Sequence, residues 1–427
     1  MLLKGDLNFV KFSIMNRIRQ IALALLLILS ASQFAGPLYA CTSAIITGGL
    51  TPDGRPLMWK HRDTDEVNNR IQFFNGEKYS FLALVNSYYA DDAQRAWAGN
   101  NEAGFCIMNT ASYNLSEDDT LASRARSAGR MMYKALSICK NLKDFETMLD
   151  TLARPLSGES NYGVIDAEGG AAYYEVNEKG WRKIDVNDPK VAPQGYLVYT
   201  NFSYTGRPDD GMGYIRYTTA DLIIKNRISK AGEITPKWIF SSLSRSFYHS
   251  MLGIDLRDDI STVSGNGFFI DQDFIPRKSS TSAIVFHGVK NGENPVETVM
   301  WAILGYPPTS VAVPLFIKAG ENQPAFMIKN PEIQNNAMMC NLSLALKEKV
   351  FPIKRGNGEK YLDFKQLYNN SKTGFIQVLE PLENKIIEEE EDFLHTNYGK
   401  RYSKKEFDEF YAKIEDLITS TYAPLIQ

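Results

Sequence analysis

Residues 38–47 read Leu38-Tyr39-Ala40-Cys41-Thr42-Ser43-Ala44-Ile45-Ile46-Thr47. Cys41 stands directly behind a targeting-like segment, and cleavage after Ala40 would make it the first residue of the exported chain. An N-terminal cysteine carries a thiol nucleophile and a free α-amine on one residue. That amine has a reference pKa of ~7.7–8.0, close to working pH, whereas an interior amide cannot act as a base. The chain is therefore a candidate hydrolase whose nucleophile and base are both supplied by cleavage.

Upstream, Lys4, Lys11, Arg17 and Arg19 form a basic region ahead of an unbroken apolar run at 21–29. Small and turn residues, including Gly36 and Pro37, follow it. The run is shorter than the ~18–20 apolar residues of a membrane span, so residues 1–40 read as a cleaved signal and no stable membrane span is expected. The expected location is periplasmic or secreted. A second reading stays open, because Leu-x-Ala-Cys also fits a lipoprotein cleavage box. Lipidation there would block both catalytic groups and leave a lipid-anchored binding protein.

Composition narrows the classes. The chain has 427 residues, with 44% hydrophobic and 12% aromatic content, enough for a large core. Losing residues 1–40 removes four basic side chains and one acidic, so the net charge moves from −3 to −6 over the remaining 387 residues. A nucleic-acid partner is not expected at that charge. His61, His249, His287 and His395 are scattered without ligand spacing, and there is no CxxC or HExxH, so no metal or organic cofactor is expected. Cys106, Cys139 and Cys340 are widely spaced, and their disulfide status stays open.

Working outward from Cys41, alternation predicts a strand over 41–47, a turn at Thr51-Pro52-Asp53-Gly54 and a returning strand over 56–61. Further strands are expected at 81–85, 104–108, 162–166, 171–176, 196–200, 281–287 and 298–305. Helices are expected at 124–140, at 142–152 behind an Asn141 cap, at 218–225, and from Thr235-Pro236. At the C-terminus the acidic run 388–392 reads as a solvated helix start or loop. Ser403 and Glu406 form a capping box ahead of an apolar stripe at Phe407, Phe410, Tyr411, Ile414, Leu417 and Ile418. That stripe is expected to face the core, with a homo-oligomer contact as the alternative. The pattern suggests a mixed α+β sandwich: a domain over 41–314 and a C-terminal helical extension over 315–427.

Four strings carry chemistry beside Cys41. Arg62-Asp63-Thr64-Asp65 ends the returning strand; a carboxylate at Asp65 would orient the α-amine, and the Arg62 guanidinium would favour a thiolate. Both reach the nucleophile only if the chain bends between them. Asn109 closes the apolar strand that follows Gly99-Asn100-Asn101-Glu102-Ala103-Gly104, and Asn201 closes Leu197-Val198-Tyr199-Thr200; each is a candidate oxyanion donor. Arg216, in Tyr214-Ile215-Arg216-Tyr217, begins a helix after a loop.

In that order the strings resemble the choloylglycine hydrolase and penicillin V acylase family of N-terminal-nucleophile (Ntn) hydrolases, with its acyltransferase-like and dipeptidase relatives. The resemblance runs from about Cys41 to Pro314. It implies an Ntn-hydrolase αββα four-layer sandwich with Cys41, Arg62, Asp65, Asn109, Asn201 and Arg216 as site residues. It also implies cleavage of a small-molecule linear amide through a cysteine thioester. A dipeptidase or acyltransferase of the same superfamily is the alternative. Asp63 departs from the asparagine common at that position in bile-salt enzymes, and Asn109 from the tyrosine common in penicillin V acylases.

Overall fold

The hairpin expected around Cys41 organises one of two large sheets. β1 (Ala40–Ile46) and β2 (Leu57–Asp63) pair antiparallel, with Cys41 opposite Arg62, Ser43 opposite Lys60 and Ile46 opposite Leu57. Thr51 and Asp53 close the turn between them: Thr51 Oγ1 donates to the Arg55 carbonyl at 2.8 Å, and Asp53 Oδ1 accepts the Arg55 N–H at 3.1 Å. Gly54 sits at φ +75°, where a β-carbon would be strained. This is a computed structural model, and it describes residues 40–116, 127–156, 158–258, 267–397, 399–400 and 403–426. All of the expected signal segment except Ala40 lies outside the described residues, as does the start of the helix expected at 124–140.

From β2 the chain builds a second sheet in simple succession: β3 (Asn69–Phe74), β4 (Phe81–Asn86), β5 (Ala98–Asn101), β6 (Cys106–Ala111), β7 (Ser160–Ile165), β8 (Ala171–Val176) and β9 (Trp181–Asp185), each antiparallel to the next. It then returns to the first sheet with β10 (Tyr196–Tyr199). Two short ribbon strands, β11 (Tyr248–His249) and β12 (Ile254–Asp255), and β13 (Phe268–Ile270) precede β14 (Ser280–His287), β15 (Val299–Leu304) and β16 (Val313–Phe316). The first sheet has the order β10-β1-β2-β14-β15-β16, which places β1 and β2 inside it. Ile45 and Met58 of this sheet share one core with Leu82, Leu84, Met108 and Tyr173 of the second. The sheets therefore face each other.

Helices cover both outer faces. α1 (Ala128–Ile138) and α2 (Leu142–Thr151) bury Met132, Ala135, Phe145 and Leu149 against Phe81, Phe105, Tyr162 and Tyr174 of the seven-stranded sheet. Asn141 caps α2 as expected, its side chain accepting the Asp144 N–H at 2.9 Å. Beyond the six-stranded sheet lie α3 (Tyr214–Ser229), α4 (Pro236–Ile239), α5 (Met338–Val350), α6 (Phe375–Asn397) and α7 (Lys404–Ile426). The result is the αββα four-layer sandwich, and Ala40–Gln427 forms one compact unit.

The C-terminal region follows its sequence in part. Ser403 and Glu406 form the capping box, with Ser403 N donating to Glu406 Oε2 at 2.6 Å and Glu406 N to Ser403 Oγ at 3.3 Å. Phe407 and Phe410 pack on Phe316 of β16, and Ile414 is fully buried. Each such side chain contributes roughly 1.5–3 kcal/mol by leaving water. The acidic run 388–392 is instead the middle of α6, and Glu390 within it is buried. Helical periodicity turns that one carboxylate inward while its neighbours stay wetter. α3 begins at Tyr214, four residues before the helix expected at 218–225, and Arg216 lies in its first turn, as expected of the Tyr214–Tyr217 string.

Candidate active site

Cys41 lies near the start of β1, held between β10 and β2, and is 6% exposed. Its backbone N–H donates to Asn201 Oδ1 at 3.0 Å. Asn201 follows β10 and is fixed by an antiparallel bridge to Met212. Its side-chain oxygen also accepts from Arg216 Nη2 at 2.8 Å, while its Nδ2 donates to the Ala111 carbonyl at 2.9 Å. Two donors on one end and a carbonyl on the other define which way this amide faces.

Arg216 ties the group together. Its Nη1 donates to the Cys41 carbonyl at 2.7 Å and to Thr42 Oγ1 at 2.9 Å. One buried guanidinium thus grips the backbone of the nucleophile and the asparagine that holds its nitrogen. Burial, reinforced by Arg277, pushes Arg216 down to about 9. The first turn of α3 delivers it because Gly213, at φ +83°, lets the chain turn sharply after the Met212 bridge. A β-carbon on Gly213 would come within 2.4 Å of Arg216 Nη2.

The cross-strand partner of Cys41 is Arg62, with Nη2 donating to Asn86 Oδ1 at 2.9 Å and the guanidinium 5.1 Å from the Trp97 ring centre. Alternation puts Arg62, Lys60, Cys41 and Ser43 on one face of the hairpin. That face looks toward the second sheet, since Ser43 Oγ meets Tyr173 Oη at 3.1 Å and Lys60 Nζ donates to Asn109 Oδ1 at 2.9 Å. Asn109 is thereby brought to the site from β6. Its Nδ2 reaches Ser160 Oγ at 3.4 Å.

Asp65 goes elsewhere. β2 continues straight through Asp63, so the bend needed to bring Asp65 beside Arg62 does not occur within the strand, and Asp65 is exposed two residues beyond it. The buried carboxylate of this stretch is Asp63. It pairs with Arg277, accepts from Ser280 Oγ at 2.5 Å, and lies 3.8 Å from His61 Nε2. His61 and Asp63 alternate with Arg62 and so face away from it. Burial holds His61 down to about 4, with Asp63 opposing the shift.

Lys60 was not among the candidates from sequence, although a signal was present: two basic residues at i and i+2 on the strand facing Cys41. Cys106, Cys139 and Cys340 are free and buried, and burial pushes their thiols up, to about 12 for Cys139 and about 11 for Cys340. Among the described residues no group of His, Cys, Asp and Glu could hold a metal ion, and no helix is long and apolar enough to cross a membrane. A cavity of about 480 Å³ lies at the other end of β2, lined by Leu57, Trp301, Ile387 and Glu390, and does not include Cys41.

No protein-family model and no curated protein matches the chain. Solved structures similar to it include a mutant conjugated bile acid hydrolase from Clostridium perfringens, at 11% identity and a TM-score of 0.41 over 65% of this chain and 92% of that one. An N-acylethanolamine-hydrolyzing acid amidase ortholog from Caenorhabditis elegans matches at 16% identity and a TM-score of 0.36, covering 58% of this chain and 92% of its own. Penicillin V acylase from Agrobacterium tumefaciens matches at 13% identity and a TM-score of 0.33, covering 65% and 86%. Likenesses this remote add nothing to the geometry of the site.

Proposed function

We propose that the chain is an exported hydrolase that cleaves linear amide C–N bonds with Cys41 as an N-terminal nucleophile. The observation that carries this reading is the hydrogen bond from Cys41 N to Asn201 Oδ1, with Arg216 bridging the asparagine and the Cys41 carbonyl. A peptide nitrogen in a sheet normally finds a neighbouring strand. Here a buried side chain dedicates an acceptor to it, and the same acceptor would hold the amine left by cleavage of the Ala40–Cys41 bond.

The chemistry then runs on groups already gathered. The neutral α-amine takes the Sγ proton, and the sulfur attacks the amide carbonyl carbon. Asn109 Nδ2 donates to the resulting oxyanion. The α-ammonium returns its proton to the leaving amine as the C–N bond breaks, leaving a thioester. The amine next deprotonates a water molecule that attacks the thioester, releasing the acid and the thiol. Arg216 and Asn201 keep the amine fixed throughout.

Burial argues against a lipid anchor. Cys41 is 6% exposed and its side chain faces the second sheet, so a diacylglycerol on its sulfur would have to displace that packing. The substrates envisaged are bile-salt-like conjugates or N-acyl amino acids. Purified mature protein assayed on conjugated bile salts, N-acyl amino acids and dipeptides tests the reading. Turnover of an acyl amide, lost in Cys41→Ser, is the expected result. Activity confined to dipeptides would assign it to a dipeptidase, and undiminished turnover in Cys41→Ser would end it.

A further inference from the structure

Lys60 is a buried amine that the steps above leave unused. It is 1% exposed, in the middle of β2, on the face that carries Cys41 and Arg62. Enclosing a lysine between two sheets is costly unless its hydrogens are satisfied. Nζ donates to the Trp97 carbonyl at 2.6 Å and to Asn109 Oδ1 at 2.9 Å. The first bond anchors Lys60 just ahead of β5, and the second fixes one end of the Asn109 amide.

An asparagine amide is planar, with its oxygen and nitrogen pointing apart. A donor locked onto Oδ1 therefore decides where the NH₂ goes. On the NH₂ side, Ser160 Oγ lies at 3.4 Å, beyond the usual hydrogen-bond range, so that contact competes weakly with an incoming acceptor. β1 and β6 meet across the two sheets, which brings Asn109 to the Cys41 side. We propose that Lys60 is a positioning residue: it clamps Asn109 by its oxygen so that Nδ2 meets the carbonyl oxygen of the amide attacked by Cys41. This rests on the function proposed above.

The clamp does not depend on charge. Burial pushes the Lys60 amine down to about 7, opposed by the Cys41 sulfur on β1 and reinforced by Arg62 on β2 itself. A neutral amine retains two N–H groups, one for each acceptor. Both protonation states can therefore hold Asn109.

A double-mutant cycle on mature protein tests this, using the panel amide with the highest turnover and measuring kcat and KM at pH 6 and pH 8. Lys60→Met and Asn109→Ala should each lower kcat by roughly 10- to 100-fold, with KM within about threefold. The double variant should be no worse than Asn109→Ala alone. Lys60→Arg, which keeps donors, should recover part of the loss. The Lys60→Met melting temperature should fall, because the Trp97 carbonyl and Asn109 Oδ1 lose their donor, so kcat and KM are read well below the melting transition. If Lys60→Met does not fold, Lys60→Leu takes its place in the cycle.

Losses that multiply in the double variant would overturn the clamp. So would a Lys60→Met defect that vanishes at pH 8, where charge rather than hydrogen bonding would be the lost quantity. Wild-type turnover with unchanged kcat in Lys60→Met removes this inference alone. A wild type that turns over no amide removes the proposed function and this inference with it.

Discussion

Asn201→Asp and Asn201→Ala together separate two roles for one side chain. From sequence, Asn201 is expected to donate to an oxyanion. In the structure its oxygen faces Cys41 N at 3.0 Å and Arg216 Nη2 at 2.8 Å, and its Nδ2 faces the Ala111 carbonyl at 2.9 Å. Aspartate keeps an oxygen for both donors but sets its second oxygen against the Ala111 carbonyl, which loses its donor at a cost of about 1–3 kcal/mol. If Asn201 holds the amine, Asn201→Asp should cost roughly five- to tenfold in kcat. Alanine strands all three buried partners at about 1–3 kcal/mol each, so Asn201→Ala should lose 10²–10³ in kcat and several kcal/mol of stability. The assay is steady-state turnover of mature protein, with urea melts confirming that each variant is folded. An Asn201→Asp enzyme as impaired as Asn201→Ala would return Asn201 to the oxyanion. A folded Asn201→Ala enzyme within threefold of wild type would refute any role in holding the amine.

Three further outcomes are expected. Burial, aided by Glu391, raises the Glu390 carboxyl to about 8, so between about 4.5 and 8 the folded chain keeps a proton that the unfolded chain has released. Stability from this residue therefore falls as pH rises through that window; Glu390→Gln should melt higher than wild type at pH 8, with the gap closing near pH 5. His61 has the opposite sign: held at about 4 by burial, it stays neutral in the fold while an unfolded histidine protonates below about 6.5. Stability should drop as pH falls from 6.5 to 4, on the order of a few kcal/mol, and urea midpoints should show a shallower drop in His61→Gln. Arg245 grips Glu383 of α6 through Nη1 at 2.8 Å and Nη2 at 2.5 Å, and Ala312 N donates to the same carboxylate at 2.7 Å. Glu383→Ala leaves that guanidinium unpaired and should cost about 3–5 kcal/mol by chemical denaturation. A single cooperative transition in wild type would show α6 melting with the sheets.

The strands were legible where one face meets the core and where turn residues punctuate the chain, as in the β1–β2 hairpin and the β7–β8 pair. β3, β5 and β9 were not, because their pattern is broken by polar or glycine residues that only tertiary contacts account for, such as Asn100 and Asn101 of β5. β16 was not, because Pro314 interrupts it. α5 and most of α6 were missed for a related reason: Lys347 and Glu383 are buried charges, and burial of a charge is set by a partner distant in the chain. In the site, the order of Cys41, Arg62, Asn109, Asn201 and Arg216 could be read, and the structure gathers all five around β1. Asp65 could not be placed, because nothing local tells whether a strand bends after Arg62 or continues to Asp63. The orientation of the Asn201 amide and the part taken by Lys60 depend on contacts with the Cys41 backbone and the Asn109 side chain, 160 and 49 residues away.

The most direct measurement compares two purified forms that differ only at residue 40: one beginning at Cys41 with a free amine, verified by intact mass and N-terminal sequencing, and one retaining Ala40. The form that begins at Cys41 is expected to turn over an acyl amide, and the form retaining Ala40 is expected to be inactive. Equal turnover by both would contradict a base created by cleavage.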